Sequence, residues 1–137
     1  MDQSAVKKFV NEHTNPLLRF LGLGDWEVRQ DFRHMANASG KCSRNGEYRR
    51  AWVTYSPEDI QDEDELLDIM FHEFMHIVLW PFDLYRNVTT QHIDNASSAQ
   101  MADNSLFHHA IEMMLSNLEV IWKDHLRDLY LERYTRP

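Results

Sequence analysis

The feature that most constrains this chain is a helix-forming segment that is apolar on nearly every side but contains two histidines and a glutamate. Residues 66–80 are LLDIMFHEFMHIVLW, and His72, Glu73 and His76 interrupt an otherwise almost wholly hydrophobic run. A helix that is hydrophobic all round is buried on several sides. Burying three ionisable groups there without partners is costly, so a metal ion or a dense hydrogen-bond network must offset that cost.

The spacing of these residues is that of a zinc site. His72 and His76 are four residues apart, so a helix places both imidazoles on one face, about one turn apart. From there they can both reach one Zn²⁺ at about 2.0–2.1 Å. Glu73 follows His72 and is rotated by about 100° from it around the helix axis. It can therefore stand beside the metal, where it could take a proton from a zinc-bound water. The pattern His-Glu-x-x-His (HExxH) arises by chance in such a chain with a probability of roughly 3%, so its apolar context carries the prediction.

The composition of the chain limits its class. With 137 residues, 43% hydrophobic and 26% charged, we expect one soluble globular domain over residues 1–137. No apolar run is long enough to cross a membrane, and the polar N-terminal sequence predicts no secretory signal. The single cysteine, Cys42, excludes an internal disulfide and fits a reducing compartment, so we expect a cytoplasmic protein.

The net charge of −8 argues against a dedicated nucleic-acid-binding protein, because such proteins gain much of their affinity by neutralising phosphates. The charge is uneven along the chain. Residues 57–68 carry seven acids and no base, whereas residues 25–50 carry six bases against four acids. We interpret the weakly basic stretch as a solvated face and expect neither a nucleic-acid nor a membrane partner.

The first half of the chain has the pattern of an α+β fold. Residues 4–22 predict two helical pieces, with a break near Asn15-Pro16 because the residue before a proline disfavours the helical region. Three segments have the composition of strands: 25–32, 36–44 and 47–55. Asn45-Gly46 is a strong hairpin signal, so the strands predict a small, mostly antiparallel sheet.

The second half is expected to be helical apart from one long loop. The HExxH helix is expected over about 62–80, with a cap at Asp62 and an end at Pro81. Residues 82–104 are polar without a clean period, which predicts a long loop. A final helix is expected over about 105–134.

A catalytic zinc site needs a third protein ligand, with the fourth position left for water. The metzincin extension of the motif does not supply it, because Leu79 and Phe82 stand where that extension has Gly and His. The final helix offers four candidates: His108, His109, Glu112 and Glu119. Glu112 and Glu119 are about 10.5 Å apart along the helix axis, so both cannot fill one coordination position. On this basis we expect replacement of Glu119 to have little effect on zinc binding.

The order of these features resembles the zincin superfamily, and more narrowly the small, often phage-encoded metallopeptidase-like proteins of the gluzincin branch. Those proteins have a strand of the type Arg-Arg-Ala-x-apolar, then an acidic run, the HExxH helix and a C-terminal Glu followed by apolar residues at helical spacing. The resemblance covers about residues 25–126. Its matching stretches are 49–53, 58–68, 72–76 and Glu112 with Leu115, Leu118 and Trp122.

The resemblance implies a minimal zincin that binds one Zn²⁺ per chain through His72, His76 and Glu112. It also implies a peptide or protein substrate, with Glu73 as the general base. The substrate is expected to add to an edge strand near 51–55, as zincins generally bind peptides. If the protein is phage-encoded, its compartment is the host cytoplasm.

The resemblance leaves two roles unassigned: the oxyanion partner, and the residue that orients a ligand histidine. The candidates for the oxyanion partner are His92, Tyr85, His108 and His109. Gluzincins often have an Asp four residues after the third ligand, where this chain has Ser116. A ligand histidine could instead be oriented by one of three other carboxylates: Asp83, Asp94 or Asp103.

Two alternative functions remain open. The stretches ASGKCSR (38–44, with Ala36-Asn37 before it) and AWVTYS (51–56) give a weaker resemblance to the SprT-like metalloproteases, which are nucleic-acid-associated and usually have a third histidine. His108 or His109 would then be the third ligand, although one cysteine cannot build the zinc ribbon that such proteins often carry. The other alternative is a catalytically silent zincin-fold binding protein with a structural zinc. The sequence predicts neither the substrate nor the oligomeric state.

Overall fold

The structure, a computed structural model, describes residues 1–90 and 98–134 and has the expected α+β architecture. In chain order its elements are α1 (Gln3–Phe20), β1 (Glu27–Phe32), β2 (Gly40–Asn45), β3 (Arg50–Tyr55), α2 (Glu63–Val78), α3 (Trp80–Thr90), α4 (Ser98–Ile121) and α5 (Arg127–Tyr134). A 3₁₀ turn at Pro57–Asp59 precedes α2, and a π-helical segment at Trp122–Leu126 joins α4 to α5. Within the described ranges, no helix combines the length and the apolar character needed to cross a bilayer.

Helix α1 is continuous, so the prediction of two helical pieces was wrong. Pro16 lies inside the helix and not at a break. The apolar face of α1 is buried both before and after the proline, at Val6, Val10, Leu17 and Leu18. Packing of this face against the core outweighs the local preference of a residue that precedes proline.

The three strands form one sheet in the order β1-β3-β2, and this sheet is mixed. The hairpin predicted at Asn45-Gly46 is confirmed, because β2 and β3 pair antiparallel on either side of it. Strand β1 pairs parallel to β3, so only one of the two pairings is antiparallel. Strand β3 is central because one of its faces is fully apolar and buried, at Ala51, Val53 and Tyr55. The expectation of an edge strand near 51–55 was therefore wrong.

The long loop expected over 82–104 is largely helical. Helix α2 ends at Val78, and α3 begins at Trp80 with Pro81 in its first turn, where a proline is well tolerated. Helix α4 begins at Ser98, and residues 91–97 lie outside the described part of the chain. The prediction failed because α3 keeps Phe82, Tyr85 and Val88 exposed, so its sequence has no core-facing period.

Helix α2 lies in the middle of the packing, as its composition predicted. The Asp62 side chain caps it by accepting a hydrogen bond from the Glu65 backbone N–H at 2.8 Å. The apolar side chains that it buries are Leu66, Leu67, Met70, Phe71, Phe74, Met75 and Ile77. These side chains occupy several faces of the helix, so α2 contacts α1, β2, α3 and α4 together.

The π-helical segment fastens the C-terminal helices to α2. Trp122 is fully buried, stacks on Phe71 with ring centroids 4.5 Å apart, and donates its indole N–H to Asp68 at 2.8 Å. Arg127 donates from Nη1 to both carboxylate oxygens of Asp68, at 3.1 and 3.0 Å. A π turn brings residues five apart onto one side of the helix, so Trp122 and Arg127 reach the same carboxylate.

Asp68→Ala should lower the free energy of unfolding by about 2–3 kcal/mol, because it leaves the buried Trp122 N–H and the Arg127 guanidinium without their acceptor. Urea denaturation followed by tryptophan fluorescence measures this change. Asp124→Ala, at an exposed carboxylate of the same π-helical segment, is the control and should change stability by less than about 0.5 kcal/mol. Equal effects of the two substitutions would show that the Asp68 contacts contribute nothing.

Candidate metal centre

Helices α2 and α4 bring the three predicted zinc ligands together. One ligand atom from each of His72, His76 and Glu112 can be chosen so that all three lie within 4.8 Å of one another. The two histidine rings lie on one face of α2, with centroids 5.2 Å apart. Glu112 reaches them from α4 and is itself exposed. Two imidazoles and one carboxylate, with one side open to solvent, form the donor set of a catalytic zinc site.

Glu119 orients His72, a contact that the sequence analysis did not find. Its Oε1 accepts a hydrogen bond from His72 Nδ1. With Nδ1–H donating to a carboxylate, the neutral imidazole presents the lone pair of Nε2 to a metal. Glu119 is two helical turns beyond Glu112 on the same side of α4, and this spacing was the signal in the sequence. The expectation that replacing Glu119 does little is therefore revised.

Two of the three carboxylates proposed for this orienting role have other partners. Asp83 forms an ion pair with Arg44, and Asp103 forms one with Arg86 at 3.1 Å. Asp94 lies outside the described residues. The sequence alone could not identify the carboxylate that contacts His72, because the packing of α2 against α4 decides which carboxylate reaches it.

Glu73 is in the electrostatic state that a general base needs near neutral pH. Only 5% of its surface is exposed, and this burial raises the pKa of its carboxyl to about 7. The neighbouring His72 opposes the rise, whereas the negative charges of Glu112 and Glu119 add to it. A base whose pKa lies near the working pH transfers protons most effectively in both directions.

His76 is held neutral by its surroundings, as a metal ligand must be. Burial, the largest cause, acts together with the nearby His72, Arg44 and His108 to lower its pKa to about 4. An imidazole with so low a pKa keeps its lone pair free at pH 7. His108 is therefore close enough to His76 to influence its pKa.

An open cleft of about 470 Å³ lies beside His72 and Glu73. Strand β2 contributes Gly40, α2 contributes Ile69, His72 and Glu73, and the C-terminal helices contribute Glu119 and Lys123. Lys123 was not singled out from the sequence, because an exposed lysine on a helix has no pattern of its own. The cleft exposes His72 and Glu73 to a bound molecule.

The structure describes three of the four candidates for the oxyanion partner. His108 is exposed on α4 near His76, as its electrostatic effect shows. His109 follows it on α4 and is also exposed, and Tyr85 lies on α3 with 71% of its surface exposed. His92 lies outside the described residues.

Comparisons of the chain with protein-family models, with curated proteins and with solved structures give no match.

Removal of the Glu73 charge should change how stability depends on pH in the metal-free protein. The pKa of folded Glu73 is raised from 4.5 to about 7, so its contribution to stability is present below pH 4.5 and is lost as the pH rises through 7. His76 acts oppositely, because its lowered pKa makes stability fall as the pH drops from 6.5 to about 4. The Gln side chain of Glu73→Gln does not ionise, so this variant keeps only the His76 effect.

The stability of Glu73→Gln relative to wild type should therefore rise between pH 4.5 and 7, by at most roughly 3 kcal/mol. Urea denaturation with a chelator present, at several pH values, measures it. Glu47→Gln, at an exposed carboxylate, should run parallel to wild type. A constant difference between Glu73→Gln and wild type across this range would mean that the buried carboxyl titrates normally.

Proposed function

We propose that the protein is a zinc-dependent metallopeptidase that hydrolyses peptide bonds with Glu73 as general base. The observation that carries this proposal is the close approach of His72, His76 and Glu112, together with the hydrogen bond between Glu119 and Nδ1 of His72. Residues up to 47 positions apart in sequence supply three zinc donors and the carboxylate that orients one of them. Chance placement of exposed acids rarely combines these features beside a buried glutamate and an open cleft.

A zinc ion at this centre would supply Lewis-acid chemistry, polarising a peptide carbonyl and lowering the pKa of water toward about 7. His72, His76 and Glu112 would hold the ion, and Glu119 keeps His72 in the tautomer that can bind it. Glu73 accepts a proton from the attacking water at its carboxylate and later donates it to the leaving amine. The raised pKa of Glu73 suits both steps.

A peptide substrate would bind along β2 and not along 51–55. The Ser56 N–H donates to the Ser39 carbonyl at 2.8 Å, so the strand alternation turns the backbone groups of Gly40, Cys42 and Arg44 away from β3. In the described part of the chain no strand pairs with this side of β2. Gly40 also lines the cleft, so an extended peptide added to this edge would pass beside His72 and Glu73.

The alternative of a purely structural zinc is less well supported. Structural zinc sites are closed by four protein ligands, whereas the described residues supply three here, and an open cleft lies beside His72. A structural site would also give no reason for burying Glu73 beside the ligands, where its ionised form destabilises the fold.

The SprT-like alternative has one observation in its favour, the position of His108 near His76. Its nucleic-acid contact is poorly supported, because the exposed arginines of the 25–50 region are paired with local carboxylates. These pairs are Arg29 with Glu27, Arg33 with Asp31, Arg49 with Asp25 and Arg50 with Glu27. We include a cytoplasmic location in the proposal, because Cys42 is a free thiol and fits a reducing compartment.

The protein should purify with about one zinc per chain, and zinc analysis of four variants should identify the ligands. Glu112→Ala should lose most of the metal, because it removes a charged ligand. Glu119→Ala should weaken zinc binding by roughly 10- to 100-fold through loss of the His72 contact. His108→Ala and His109→Ala are the matched controls from the same helix and should keep the metal. If His108→Ala loses zinc while Glu112→Ala keeps it, the three-histidine alternative is correct.

Glu73→Gln should abolish peptide hydrolysis while keeping zinc and fold, because an amide has nearly the same shape as the carboxyl but cannot accept the proton. The loss in kcat should be about 10²- to 10⁴-fold. Hydrolysis of a mixture of unstructured peptides, followed by mass spectrometry, measures it, with zinc content determined on the same sample. A zinc-loaded wild-type protein that cleaves no peptide, or a Glu73→Gln variant as fast as wild type, would contradict the mechanism.

A further inference from the structure

Gly40 of strand β2 lies close to the Glu73 side chain. A Cβ atom at position 40 would lie 3.0 Å from Glu73 Oε1 and 3.2 Å from Glu73 Cγ. It would also lie 2.7 Å from Cγ2 of Ile69, one turn earlier on α2. Carbon atoms pack at about 3.5–4.0 Å, so no side chain fits at this position while Glu73 and Ile69 stay where they are.

The backbone conformation of Gly40 does not explain the glycine. A positive φ is found at Gly22, at 75°, and not at Gly40. Gly40 is a regular strand residue, directly opposite Tyr55 in the antiparallel pairing. The close approach of β2 to α2 is therefore the reason for the glycine at this position.

The strand cannot move away to make room for a larger residue. Strand β2 is paired to β3 along its length, and the facing residue Tyr55 is fully buried with its ring stacked on Phe32. The atoms that a Cβ would meet instead belong to two side chains: Cγ2 of Ile69, and Oε1 and Cγ of Glu73. Rotation of a side-chain end is easier than displacement of a paired strand, so a Cβ at position 40 would move the Glu73 carboxylate and leave the fold in place.

We propose that Gly40 is a positioning residue: by lacking a side chain, it lets the Glu73 carboxylate occupy the place from which it acts on the attacking water. This inference rests on the proposed function. The zinc ligands alone require no contribution from the sheet, whereas this proposal gives strand β2 a role in placing Glu73. A misplacement of a catalytic group by about 1 Å can lower the rate by about 100-fold.

The first test measures turnover and zinc content of Gly40→Ala. We expect kcat to fall by about 100-fold, KM to change by less than about threefold, and zinc to stay at one per chain. The control is Gly24→Ala, because a Cβ there would meet only Arg19 Cγ at an ordinary 3.4 Å. This control should keep wild-type kcat. A Gly40→Ala variant that is as fast as wild type, or one that loses its zinc, overturns the proposal.

A second variant covers the case in which Gly40→Ala fails to fold. Gly40→Ala combined with Ile69→Leu removes Cγ2, the nearest atom, and keeps both contacts with Glu73. Ile69→Leu alone is its reference. We expect the double variant to keep the low kcat of Gly40→Ala. Recovery of the Ile69→Leu rate would mean that the crowding acts through Ile69, and it overturns the role assigned to Glu73.

The contact can also be tested without activity, in the metal-free protein. Gly40→Ala should lower the melting temperature less in a Glu73→Ala background than in wild type, because the shorter side chain leaves space for the new Cβ. Equal losses in the two backgrounds overturn the proposal. If this coupling is found but zinc-loaded wild-type protein cleaves no peptide, the proposed function fails, the contact is confirmed and a catalytic role for Gly40 is excluded.

Discussion

The structure is organised around helix α2, which places the buried Glu73 between the half-buried His72 and His76. An apolar helix can hold three ionisable groups only if neighbouring elements supply partners or shift their protonation. Both happen here: Glu119 of α4 accepts a hydrogen bond from His72, and burial keeps His76 neutral and raises the pKa of Glu73 to about 7. The site thus places a neutral His76 and the hydrogen-bonded His72 beside a carboxyl that can exchange its proton near pH 7.

The surrounding elements keep that arrangement in register. The Asp68 contacts with Trp122 and Arg127 fasten α2 to the C-terminal helices one turn before His72, and so fix where Glu112 and Glu119 meet the histidines. On the other side, β2 lies so close to α2 that only a glycine fits against Glu73 at position 40. The centre therefore lies between α4, which supplies the carboxylates, and β2, whose backbone packs closely against α2.

The sequence predicted those parts of the site and fold that depend on short-range patterns. The HExxH spacing gave His72, Glu73 and His76, the cap at Asp62 gave the start of α2, and Asn45-Gly46 gave the hairpin. Glu112 came from a family resemblance, and the structure brings it to the two histidines. Short-range sequence patterns could not predict contacts between elements that are distant in the chain. The hydrogen bond from His72 to Glu119 depends on how α2 packs against α4. The central position of β3 depends on how the whole sheet is covered. The continuity of α1 through Pro16 likewise reflects burial that a local proline rule does not include.

Anomalous X-ray diffraction at the zinc absorption edge, from crystals of the zinc-loaded protein, tests the central claim most directly. The account predicts one peak per chain at about 2.0–2.2 Å from a ring nitrogen of His72, a ring nitrogen of His76 and a carboxylate oxygen of Glu112. It also predicts that Glu119 stays on Nδ1 of His72 when the metal is bound. The absence of a peak between these side chains, or a peak whose third protein ligand is His108, would contradict it.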